Sequence, residues 1–114
     1  MTKYLISFPS SAMGHIADED FPAVGAATRA VAQEAKDAGV WVFGGGINAQ
    51  VPSVMVRGDG TVTNDTYPQT REFDGGFAVL EVPTREEALV WAAKFAVSCR
   101  CAQELREFGY DPES

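Results

Sequence analysis

Two short runs limit what this chain can fold into. Residues 40–46 read VWVFGGG and residues 76–82 read GFAVLEV. Extended backbone turns successive side chains to opposite faces. In the first run Val40 and Val42 then share one face, and Trp41 and Phe43 the other. A strand that is apolar on both faces belongs in a sheet covered on both sides. One layer of helices covers only one side, so something further has to cover the second.

The remaining segments supply the helices. Residues 3–8, KYLISF, read as a strand with Tyr4, Ile6 and Phe8 on one face and Leu5 and Ser7 on the other. A polar connection, 9–19, leads to a helix. Asp18 or Asp20 suits its cap and Pro22 its first turn. Phe21, Val24, Ala27, Val31, Ala35 and Ala38 recur at helical spacing, and Gly39 fits the left-handed position beyond the end. Residues 53–65 read as a hairpin around the Asp59-Gly60 turn. Thr84 and Glu87 form a capping box for a second helix with Ala88, Leu89, Trp91, Ala92, Phe95 and Ala96 on one side. Residues 101–108 read as a last strand.

The order is strand, helix, strand, short hairpin, strand, helix, strand. It predicts an α+β fold: a ferredoxin-like split βαβ unit, with an antiparallel sheet, both helices on one face and an extra short hairpin. The sheet's other face would stand in water as a large apolar patch. A second copy packed sheet to sheet removes it, so a homodimer is expected. At 114 residues and 46% hydrophobic, the chain is one domain, 1–114, with a core over about 3–108 and a short tail, 109–114.

The net charge is −7, with nine Lys and Arg. No basic stripe exists to displace counterions from phosphates, which argues against a nucleic-acid partner and an anionic membrane surface. No apolar run approaches the ~20 residues of a membrane span. The start, MTKYLISFPSS, reads as a strand and not a signal peptide, so a cytoplasmic protein is expected. Cys99 and Cys101 lack the C-x-x-C spacing of zinc sites and read as two small semi-buried thiols. No metal and no cofactor is expected.

Longer stretches carry a family likeness. DAGVWVFGGGI, followed by VMVRGDGTVTNDTYPQTREFDGGFAVLEVPTREEALVWAAK, resembles the YCII-related proteins, and within them the DGPF branch. Thr70-Arg71-Glu72 stands in the place of T-K-E, followed by Gly75-Gly76-Phe77 and by Glu86-Glu87-Ala88-Leu89 before Trp91-Ala92-Ala93. The likeness runs from about Lys3 to Phe108 and implies a dimeric α+β barrel of ferredoxin-like units. Asn64-Asp65-Thr66-Tyr67 replaces the D-G-P-F that names the branch. Some relatives carry a helical His paired with a downstream Asp; that position falls near Ala27 here, so the resemblance brings no catalytic pair.

The candidate site is the connection NDTYPQTREFDGGF, 64–77, too aromatic to read as disordered. Arg71, oriented by Glu72, is a candidate to hold an anionic or carbonyl oxygen; the pair also reads as an ordinary loop ion pair. Tyr67 suits a pocket wall or a loop anchor equally, and Thr70 lies on the same polar segment. Asp65 reads as a turn-former more than as a general acid. His15, the chain's lone histidine, is a weak catalytic candidate, but no nucleophile or carboxylate accompanies it. Gly44-Gly45-Gly46 is not followed by a helix, so it reads as a bulged strand end or a close backbone approach and not as a phosphate loop.

The expected function is small-ligand binding by a homodimer, in a pocket between the sheet and segments 9–19 and 64–75. An enzyme acting on a small carbonyl or enol compound and an interaction module without a pocket are the alternatives.

Overall fold

The computed structural model describes residues 1–114. The main sheet has four strands: β1 (Thr2–Phe8), β2 (Trp41–Gly46), β5 (Gly76–Val82) and β6 (Glu104–Glu107). Their spatial order is β2-β5-β1-β6, and every pair is antiparallel. The helices α1 (Phe21–Asp37) and α2 (Arg85–Cys99) each carry the chain across the sheet between two strands that are not neighbours. A separate hairpin, β3 (Met55–Val56) and β4 (Val62–Thr63), interrupts the path from β2 to β5. The α+β architecture with its extra hairpin is the one the sequence predicts.

The sheet's inner face is set by alternation. Tyr4 and Ile6 of β1 and Ala78, Leu80 and Val82 of β5 are buried, with Leu80 and Val82 fully so. Val31 and Ala35 of α1 and Ala92 and Phe95 of α2 close over them. The outer face carries Leu5, Phe77 and Val79, half-buried, and Phe43, which is 64% exposed.

Several local expectations need correction. Trp41 and Phe43 do not share a face. A bulge between them pairs Trp41 with Leu80 but Phe43 with Val79, so Val42 is the extra residue. Trp41 turns inward beside Phe95 while Phe43 faces out. Ala27 and Ala38 are exposed; the half-buried Thr28 takes the place given to Ala27, because α2 satisfies its hydroxyl. Leu89 is exposed too. The run ALVWAA is apolar nearly all round, so spacing alone cannot single out the inner stripe. That stripe is Ala88, Ala92, Phe95 and Cys99. The last strand is shorter than 101–108. Cys99 closes α2, and Arg100 follows at φ 56°, in the left-handed region.

The caps are mixed. Neither Asp18 nor Asp20 caps α1 through its side chain; both belong to a 3-10 turn ahead of the helix. Gly39 does take the left-handed position, at φ 74°. Thr84 accepts a hydrogen bond from the Glu87 N–H at 3.2 Å, as the capping box requires. No helix is long and apolar enough to cross a membrane.

Candidate functional site

A concavity lies between α1 and the sheet, lined along the helix from Phe21 to Lys36. It is an open cleft of about 550 Å³, within the range of small-ligand sites. Its floor is the end of the inner face where β1, β2 and β5 meet, around Phe8, Gly44 and Gly76. Its roof is α1, and its back wall is Phe95 and Cys99 of α2.

Glycines shape the floor. A Cβ on Gly44 would sit 2.6 Å from Cζ2 of Trp41, and one on Gly76 would sit 2.7 Å from Cε1 of Phe8. Edge atoms of the indole and of the phenyl ring thus close onto backbone that carries no side chain. That is the close approach glycine permits, and it fits the reading of Gly44-Gly45-Gly46 as a strand end with a close contact. Larger residues would lift the two rings into the cleft.

The roof has a two-residue-deep pattern. Val24 and Thr28 point inward, and Thr28 Oγ1 donates to Ser98 Oγ at 3.3 Å and lies 3.4 Å from Cys99 Sγ. Beside them runs a second stripe, Gly25, Arg29, Ala32 and Lys36, at helical spacing. Two residues in it are small and leave room; two are cations. The Arg29 guanidinium folds back over Gly25, 3.4 Å from where a Cβ would be. Lys36 Nζ stands 5.7 Å from the centroid of the Trp41 ring. Neither forms an ion pair: the three in the chain are Lys94–Glu34, Arg100–Asp20 and Arg106–Glu104.

The residues singled out in the sequence fall elsewhere. From segment 9–19 only Met13 reaches the cleft, and none of 64–75 does. Tyr67 and Thr70 border a shallow groove beside the hairpin, with Tyr67 66% exposed. Glu72 edges a small pit on the sheet's outer face with Phe73 and Phe77. Arg71 is exposed and makes no ion pair with Glu72. Asp65 accepts from the Thr66 N–H at 3.0 Å, and His15 is exposed in a turn away from the cleft.

The connection is nonetheless tied down. Asp74 accepts from the Ser10 N–H at 3.1 Å and the Ser10 hydroxyl at 2.8 Å. Those bonds, the hydroxyl's first, hold its carboxyl below the ordinary range. Phe73 and Phe77 meet at 4.5 Å between ring centroids. Farther back, burial and the neighbouring Cys99 push the Cys101 thiol up, against a smaller opposing pull from Gln103. Burial and then Glu107 raise the Tyr4 hydroxyl.

A split βαβ sheet with an open, glycine-floored cleft under its first helix defines a small α+β protein. Residues 9–97 match the YCII-related domain, which is most of the chain. The protein belongs to the YCII-related family. Comparison with curated proteins gives no match.

Proposed function

We propose that this protein binds a small molecule in the cleft beneath α1 and works as a cytoplasmic homodimer packed sheet to sheet. The observation that carries the binding reading is the cleft itself. It is built from aromatic and aliphatic side chains with a few polar groups at its rim and back, the composition of small-ligand sites.

The dimer is supported by shape and by the outer face. The chain spans 43 × 43 × 20 Å, a slab about one sheet and one helix layer thick. Its radius of gyration, 15.7 Å, exceeds the roughly 13 Å expected for a chain this long. The hairpin segment exposes Val54, Val56 and Val62. Together with Phe43 they give a second copy an apolar surface to cover. Tyr67, Thr70, Arg71 and Glu72 stand exposed on the neighbouring connection. In this reading they meet the second copy, or a ligand held between the two.

Ala32 sits between the two cations on the roof, which makes it the position to test. The neutral dye N-phenyl-1-naphthylamine should bind the parent with enhanced fluorescence. Ala32→Phe should abolish that signal with the melting temperature unchanged. Equal binding by the variant would remove the cleft as the site. Light scattering at micromolar concentration should give twice the chain mass; a stable monomer would end the dimer proposal.

A further inference from the structure

We infer that the ligand of this cleft is a small aromatic or otherwise apolar acid, held by its anionic group on Arg29. The inference rests on the cleft being the binding site and goes on to say what chemistry it selects.

The charge distribution carries it. The chain has 16 Asp and Glu against nine Lys and Arg. A cleft taking its lining at random from such a chain would show more carboxylates than cations. This one has no carboxylate and two cations, Arg29 and Lys36. A cleft walled by low-dielectric side chains concentrates the field of the charges at its rim. Here that field is positive on a protein that is negative overall, and it favours an anion against the molecule's general repulsion.

Arg29 and Lys36 are not equivalent. They are seven residues apart on α1, about 10 Å along the axis. Lys36 is placed over the Trp41 ring, where the ring face engages its charge. Arg29 makes neither a salt bridge nor a side-chain hydrogen bond inside the chain, and its planar fork matches a carboxylate bidentately. The acid group therefore goes to Arg29. Gly25 and Ala32 on either side leave it clear access. The body of the ligand lies against the Phe8 and Trp41 rings, whose edges Gly76 and Gly44 let close onto the sheet. A flat aromatic body makes the largest contact with such a floor.

The probes are 2-naphthoate and 2-naphthamide, the same ring system with and without the charge. Each is titrated by calorimetry into the full chain, the parent and Arg29→Gln, at low and moderate salt. The acid should bind the parent at least about tenfold tighter than the amide, the size of one charge-assisted hydrogen-bonded contact. Arg29→Gln should erase that preference and leave amide binding unchanged; Lys36→Gln should weaken the acid less. Binding should also slow alkylation of Cys99, the thiol at the back of the cleft, in a Cys101→Ser background. If the amide binds the parent as tightly as the acid, or the preference survives Arg29→Gln, the acid class is wrong while the cleft stands as a site. If neither probe binds nor protects Cys99, both this inference and the cleft reading fail.

Discussion

The two helices cross the same sheet and do different work. α2 lies flat on it: Ala88, Ala92, Phe95 and Cys99 are all buried along one stripe. α1 is two residues longer, yet only Val24, Val31 and Ala35 are buried, and from Phe21 to Lys36 one side of it roofs an open cleft. Both helices are rich in alanine. On α2 the alanines bring the helix close to the sheet. On α1, Ala32 and Gly25 face the cleft and leave it empty. The same small residue closes one interface and opens the other, and the difference lies in what stands opposite it. Beneath α2 are the full-sized Tyr4 and Val82, which pack with Ala88. Beneath the start of α1 are glycines.

Breaking the α2 side should cost most. Phe95 belongs to the main core and also touches the Trp41 ring system at 6.4 Å between centroids. Phe95→Ala should lower stability by about 3–5 kcal/mol in urea unfolding, as large-to-small core changes do. A matched pair then sharpens the contrast. Ala88→Leu forces a larger side chain against Tyr4 and Val82 and should cost about 1–3 kcal/mol. Ala32→Leu adds the same atoms over the cleft and should stay within about 0.5 kcal/mol. Equal costs in the pair would mean that α1 is packed as tightly as α2 and that the cleft is not open in solution.

The contrast also marks how far the sequence could be read. Strand and helix order follow from alternation and helical spacing, and the family likeness agrees with them. Facing was legible where residues alternate cleanly, as in KYLISF, and was lost where a bulge reset the phase between Trp41 and Phe43. The cleft was not legible. Part of its roof is the stripe Gly25, Arg29, Ala32 and Lys36, with no apolar residue larger than alanine, which the spacing of a core face does not mark. Thr28 and Cys99 hide for a related reason: each satisfies the other across the helices, and neither pattern shows alone. The residues of segment 64–77 are chemically conspicuous. What fixes that segment is the plain pair Ser10 and Asp74, 64 positions apart. Bonds at such separation leave no local signature.

That pair gives the smallest expected effect and links the connection to the cleft. Ser10 follows directly on Phe8 and Pro9, so the Asp74 bonds fix the end of β1 where the Phe8 ring lies on Gly76. The folded Asp74 carboxyl titrates lower than in the unfolded chain, because Ser10 donates to its charged form. A depressed carboxyl contributes stability that is fully present above the unfolded value, about pH 4. That contribution is lost as pH falls further, through the folded value, where the folded state also takes up the proton. Asp74→Asn removes the charge and keeps the shape. The parent should be more stable than the variant at neutral pH, and the gap should hold down to about pH 5 and close below pH 4. Urea midpoints from pH 7 to pH 2.5 read this directly. Proteolysis at neutral pH should show the same change locally, as faster cutting within 64–75 of the variant. A gap that does not change with pH would mean that the Ser10 bonds do not depend on the carboxylate charge.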